Sequence, residues 1–212
     1  MRRGLHWGCG LLAPVLLSAC FSIGAGSEAG PQLHRQLVDA GAETVRRAQP
    51  LVDALLIQPL PADALADTVS IAYSQRSHEF AFYQLATWTE RPVRQLPRLL
   101  QRRLEARGVA AAVGLLGEPL RADWLLTLAV DTLHHDVSVP PGQARLAVTV
   151  ELFDRRDQRR AARRSFTAAV PTARADSATA AAAMSQAVAA VFDEMLPWLE
   201  DELQRATVKS GP

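Results

Sequence analysis

The chain has 212 residues, 49% of them hydrophobic and 21% charged, with 23 Lys and Arg against 22 Asp and Glu. That is apolar material enough for one well-buried domain, and it excludes an intrinsically disordered chain, which combines low hydrophobicity with high net charge. A formal net charge of +1 leaves no basic excess to displace counterions from a phosphate backbone, which argues against a dedicated nucleic-acid binder.

The first segment reads as an address. Arg2 and Arg3 precede a short apolar run, Leu5 to Val15, interrupted by Gly and Pro14. The run falls short of the roughly 20 apolar residues that span a bilayer and reads as a secretory signal. It ends in Leu17-Ser18-Ala19-Cys20, which resembles the bacterial lipobox: a Leu, two small residues that suit an extended chain in a peptidase cleft, and a thiol for alkylation. On this reading residues 1–19 are a signal peptide and Cys20 becomes the first residue of the mature protein, carrying a covalent diacylglycerol and an N-acyl chain. Burial contributes about 0.8 kcal/mol per methylene, so two or more chains anchor stably where one does not. Phe21, not Asp, follows Cys20. For a Gram-negative source this sorting rule favours the outer membrane, with the folded domain facing the periplasm.

The other cysteine, Cys9, lies in the discarded segment, so the mature chain is left with no thiol for a disulfide or a cysteine zinc site. Loss of Arg2 and Arg3 leaves 21 of the 23 basic residues against 22 acidic ones, close to neutrality. Residues 20–30 comprise the acylated Cys and a Gly/Ser/Ala-rich flexible tether. At about 3.3 Å per residue the tether holds the folded body within about 30 Å of the membrane.

Leu33 to Val38 suits a strand or the start of a helix, and the choice stays open through residue 50. Leu51 to Ile57 reads as a largely buried strand stopped by Pro59 and Pro61. Thr68 to Tyr73 alternates, Ser74 to Ser77 turns, and Glu79 to Leu85 returns as the hairpin partner. From Pro92 the period changes to about 3.6, with Val93, Leu96, Leu99, Leu100 and Leu104 on one face and Gly108 as the stop. Pro97 removes a backbone hydrogen bond unless it lies in the first turn, which moves the expected start of the helix towards Gln95. Val109 to Leu116 adds a short strand. Trp124 to Thr132, Ala144 to Phe153 and Ser165 to Val170 add three more, the second with clean alternation of Leu146, Val148, Val150 and Leu152. Asp176 and Ser177 cap a final helix to about Arg205, with a stripe of Met184, Val188, Val191, Phe192, Met195 and Leu199, and a kink predicted at Pro197. The predicted fold is a single α+β domain over residues 31–212, a mostly antiparallel or mixed sheet packed against two helices.

Three constellations carry possible chemistry. His134-His135-Asp136 offers metal-ligand types, but neighbouring residues of a strand point to opposite faces, so no metal site is expected. The run from Asp154 to Arg164 holds six Arg and two Asp. It reads first as a solvated hairpin tip; as a functional surface, its Arg155, Arg156, Arg159 and Arg160 would meet lipid headgroups or an acidic partner. Phe80 and Phe82 share one face, which points to core packing ahead of a lipid-binding groove, and Tyr83 and Trp88 are placed to pin their strand to the first helix. Catalytic templates are missing: there is no phosphate-binding Gly-rich loop and no Gly-x-Ser-x-Gly elbow. No enzymatic activity is therefore expected.

Several landmarks together resemble the ABC-type transport auxiliary lipoprotein family, the group that includes paraquat-inducible protein C. They are the lipobox at Cys20, Ile71-Ala72-Tyr73, and Phe80-Ala81-Phe82-Tyr83 leading to Trp88 and Pro92. The helix Leu96 to Leu104, Ala122-Asp123-Trp124-Leu125 and Ala144-Arg145-Leu146 complete the set. The resemblance covers about residues 31 to 203, and order and spacing carry it. It implies a non-catalytic, outer-membrane-anchored component that works beside an ABC permease and ATPase and an MCE-domain protein, moving lipids or other hydrophobic molecules between membranes. Self-association into a homo-oligomeric ring is in keeping with the family and is not written in these residues. The alternative is a periplasmic lipoprotein that regulates an envelope enzyme such as a peptidoglycan synthase; a hydrolytic lipoprotein is disfavoured by the missing nucleophile motifs.

Overall fold

A computed structural model describes residues 31–41, 45–61 and 63–209; the signal peptide, lipobox and tether expected at residues 1–30 lie outside them. From Pro31 onwards the chain forms one unit. Its elements are β1 Leu33–Arg35, β2 Val52–Pro59, β3 Ser70–Arg76, β4 Glu79–Trp88, α1 Pro92–Arg107, β5 Ala110–Leu115, β6 Trp124–Asp136, β7 Gln143–Asp154, β8 Arg159–Pro171 and α2 Ser177–Lys209.

The eight strands form one mixed sheet organised around β6. One edge of β6 pairs antiparallel with β7 from Trp124↔Asp154 to Asp136↔Gln143, and β8 lies antiparallel beyond β7. The other edge is shared by two separate ribbons. Leu55 to Pro59 of β2 runs parallel to Trp124 to Leu128, with β5 parallel outside it. Tyr73 and Ser74 of β3 pair in parallel with His135 and Asp136 at the opposite end of β6, with β4 and then β1 outside them. A register shift between Val130 and Thr132 falls between the two ribbons, where an extra residue bends a strand. β2 and β3 pair in parallel with β6 because they precede α1 in the chain and β6 follows it, so they meet through a crossover and not a hairpin.

Both helices cover one face. Leu146, Val148, Val150 and Leu152 of β7 and Leu126, Leu128 and Val130 of β6 are buried with Met184, Val188, Phe192, Met195 and Leu199 of α2 and with Leu96, Leu100 and Leu104 of α1. Each fully buried side chain of this size contributes about 1.5–3 kcal/mol, so this stripe, more than the Ala-rich first turns, commits α2 to the sheet. The Asp176 carboxylate accepts the Thr179 N–H at 2.8 Å, the expected N-cap, and α2 stays helical through Pro197 to Lys209. On the opposite face, residues 116–123 close over β2, where Ala54, Leu56 and Ala122 form a small second cluster with Leu120 and Leu125.

The structure corrects several boundaries. Only Leu33–Arg35 of the ambiguous first segment is a strand. α1 begins at Pro92, not near Gln95: Pro92 sits at the first position, where its missing N–H is harmless, and the Val93 N–H is satisfied by the Ala66 carbonyl at 3.2 Å. Pro97 is tolerated inside the helix and buried against the core. α1 ends at Gly108, whose φ of 70° is left-handed and whose N–H reaches the Leu104 carbonyl at 2.9 Å. β8 starts at Arg159, well before Ser165, so only residues 155–158 are a turn and most of the basic run is strand.

Candidate functional site

The basic hairpin between β7 and β8 is fastened to the chain that precedes β6. The Arg155 side chain donates to the Ala122 carbonyl at 2.9 Å, and its backbone N–H donates to the Asp123 carbonyl at 2.8 Å. Arg156 donates to the buried carboxylate of Asp154 at 3.2 Å and lies 6.0 Å from the Trp124 ring centre. Burial works to raise the Asp154 pKa, but the Arg156 hydrogen bonds and charge win and hold it below the usual carboxylate range. Arg160 pairs with Glu151 at 2.8 Å and Arg163 with the same carboxylate at 3.4 Å, while Arg164 lies over the Phe166 ring at 4.9 Å. Of the four Arg singled out in the sequence, Arg155 and Arg156 therefore hold local structure. Arg159 and Arg160 remain exposed on β8, an edge strand, where charge also discourages edge-to-edge pairing. A cleft of about 610 Å³ opens beside the hairpin, lined by Asp53, Arg121, Asp123, Trp124, Arg156 and Thr207, with both signs of charge.

At the other end of β6, His134 and His135 point to opposite faces as their strand requires. His135 is fully buried. Its Nε2 lies 2.9 Å from the Thr172 hydroxyl, which spends its own proton on the Pro141 carbonyl at 2.9 Å. Nε2 must therefore donate, leaving Nδ1 to accept the Tyr83 O–H at 2.8 Å. This assigns a neutral imidazole with both nitrogens satisfied, and burial lowers the pKa of His135 accordingly. Burial, with lesser repulsion from Asp176, pushes the Tyr83 phenol up to about 12. Gly142, at φ 102°, makes room for the ring: a Cβ there would sit 2.7 Å from His135 Nε2. Asp136 accepts hydrogen bonds from Ser138 and Arg145, which hold its pKa at about 2. The arrangement is a packing and hydrogen-bonding knot. Among the described residues no group of three or more His, Cys, Asp or Glu is placed to hold a metal ion.

The aromatic alternation of β4 lands where the sequence did not place it. Phe80 and Phe82 are not core: they are 46% and 38% exposed, on the face away from the helices, with Phe80 edge-on to His134 at 5.1 Å. Leu85, 50% exposed, lies within the register shift between Phe82 and Thr87 in the β3–β4 pairing. Trp88 is buried in the main core, but Tyr83 is tied to β6 through His135 rather than to α1. Period-two alternation identifies side chains that share a face and is silent on which face the helices cover.

Sequence reasoning also missed the ion pairs that lock the helices together. Buried Arg103 of α1 pairs with Asp39 at 2.8 Å and with Asp193 of α2. Arg107 pairs with Glu200 at 2.6 Å, and Arg47 with the same carboxylate at 3.0 Å. Burial alone would raise the Glu200 pKa, yet the two guanidiniums pull it down. These residues lie in separate segments, and no local pattern links them. Cys20 and its lipobox lie outside the described residues. Among the described residues no helix is long and apolar enough to cross a membrane.

Comparison with known proteins agrees with this architecture. The family model described as "ABC-type transport auxiliary lipoprotein component" matches residues 36–196. No curated protein sequence matches the chain. Among solved structures, a DUF330-family protein of Xanthomonas campestris is 26% identical with a TM-score of 0.71, covering 81% of this chain and 98% of its own. An uncharacterized protein is 11% identical with a TM-score of 0.60, over 78% of this chain and 99% of that one, and shows the fold alone. PelC of Paraburkholderia phytofirmans, solved as a dodecamer, is 17% identical with a TM-score of 0.45, over 76% and 95% of the two chains.

Proposed function

The chain belongs to the ABC-type transport auxiliary lipoprotein component family, and from that membership we propose that it is the outer-membrane-anchored, non-catalytic part of an ABC and MCE-type system that moves lipids or other hydrophobic molecules between membranes. The family match over residues 36–196 is the observation that carries this reading. Its partners are then an MCE-domain protein and the ABC permease with its ATPase, and several copies assemble into a ring. Cys20, within Leu17-Ser18-Ala19-Cys20, supplies the anchor through its diacylglycerol and N-acyl chain.

The architecture supports a scaffold that binds rather than reacts. Several of its buried polar groups are spent on each other: His135 on Tyr83 and Thr172, Arg103 on Asp39 and Asp193, Asp154 on Arg156. A catalytic site needs such groups aimed at a vacant position where a reacting atom can sit. The exposed Arg159 and Arg160 are the partner-facing cations of this reading, able to steer an acidic surface onto the hairpin.

Replacing the anchor tests the proposal. In a Gram-negative strain that lacks the gene, the native protein should take up labelled fatty acid, sediment with outer membranes and restore resistance to a hydrophobic toxicant. The Cys20→Ser variant should lose all three. Full complementation by an unlabelled Cys20→Ser protein would contradict the anchored role.

A further inference from the structure

We propose that the β3–β4 hairpin end of the domain is a membrane-docking face, on which Phe80 and Phe82 rest in the headgroup and acyl boundary of the bilayer that holds the lipid anchor. The proposal rests on the acylation of Cys20 argued above and adds an orientation to it.

The path of the chain supports it. β1 runs parallel to β4, with Leu33 beside Ala86 and Arg35 beside Trp88. The N-terminal end of β1 therefore points along β4 towards Glu79 and the hairpin turn. Pro31 stands near the level of residue 84, and about six strand residues, roughly 20 Å, separate that level from the turn. The tether from Cys20 to Gly30 reaches about 30 Å when extended. A tether of that length is long enough to span the roughly 20 Å from the level of Pro31 to the hairpin turn.

The surface at that end has the right chemistry. Phe80 and Phe82 are 46% and 38% exposed two residues apart on β4, where a soluble surface ordinarily scatters such residues singly. Aromatic side chains beside polar neighbours are characteristic of interfacial segments. Arg76 and His78 at the turn are exposed and sit at headgroup level once the rings enter. Phe80 is braced against His134, so its ring is presented without a large ordering cost. The basic β7–β8 turn lies at the other end of β6, because Asp154 pairs with Trp124 whereas β3 pairs with Asp136. Docking by the β3–β4 end therefore turns Arg159 and Arg160 away from the bilayer, towards a protein partner.

The test uses full-length acylated protein reconstituted into phosphatidylcholine vesicles that carry shallow doxyl quenchers. A fluorophore is placed at Ser77→Cys, or at Asp157→Cys on the opposite turn; Cys20 is blocked by its lipid, so each label is unique. The proposal predicts co-flotation, about a twofold quenching at position 77, and little at position 157. Phe80→Ser with Phe82→Ser should abolish the quenching and leave flotation unchanged, with a modest fall in melting temperature from the lost Phe80–His134 contact. Flotation with equal or absent quenching at the two positions would overturn the docking face and leave the anchor standing. Loss of flotation would overturn both. Disulfide cross-linking between copies through Phe82→Cys, in place of quenching, would make the patch a contact between protomers and overturn the membrane assignment.

Discussion

His135 has both ring nitrogens engaged with neutral partners in a buried site, so protonating it must break the bond that Nδ1 accepts from Tyr83. Burial holds the pKa of His135, and that of His134, below the ordinary value of 6.5. As pH falls the unfolded chain takes up these protons first. The stability the two rings contribute is therefore present above about pH 6.5 and is lost as pH falls through their depressed folded values. Asp136, at about 2 against an ordinary 3.8, adds a second acid loss between those two values. Tyr83, at about 12 against 10, contributes stability that is lost as pH rises between them. Thermal melts should show a falling midpoint below about pH 6.5. His135→Gln should start from a lower midpoint at neutral pH and fall less steeply; an unchanged slope would mean that His135 is not the titrating group. Gly108 admits a separate test. At φ 70° an L side chain costs about 1–2 kcal/mol, so Gly108→Ala should lose that much in urea unfolding with no change in fold.

The elements divide by how much of their environment their own pattern encodes. β7 and α2 were readable because each buries a stripe against a neighbour that any amphipathic element would seek: Leu146 to Leu152 at period two, Met184 to Leu199 at period 3.6. β4 was readable as a strand but not in its orientation, since the same alternation fits Phe80 in a core or Phe80 in solvent, and only the side on which α1 and α2 land decides. The sequence places β8 only from Ser165 because Arg159 to Arg164 looks like a loop by composition, although an edge strand with one solvated face accommodates Arg well. The hairpin now separates two kinds of Arg. Arg155→Glu and Arg156→Glu should lower the melting temperature, the first by losing the Ala122 carbonyl and the second by setting a carboxylate beside buried Asp154. Arg159→Glu should leave it nearly unchanged, and Arg160→Glu should lower it slightly by setting a carboxylate beside Glu151, while both weaken binding to an acidic partner. Equal tolerance at all four sites would return the whole hairpin to the solvated tip expected from composition.

Across the whole molecule, landmarks spread over the chain carry the family resemblance, read over about residues 31 to 203, and the family model matches residues 36–196 within that stretch. What no local pattern could give was the division of the sheet into two ribbons on one edge of β6, because it depends on where β2 and β3 return after α1. That division sets the polarity of the protein. One end carries the approach of the N-terminal chain and the exposed Phe80 and Phe82, and the other carries the basic turn. On the proposed function, two such ends would let the protein hold a partner at a fixed distance from the membrane that carries its anchor. The most direct measurement is affinity purification of the native acylated protein from detergent-extracted membranes, followed by mass spectrometry. Recovery of an MCE-domain protein together with its ABC permease is the predicted result. Recovery of a peptidoglycan synthase or another envelope enzyme, with no transport subunit present, would contradict the account while leaving the fold in place.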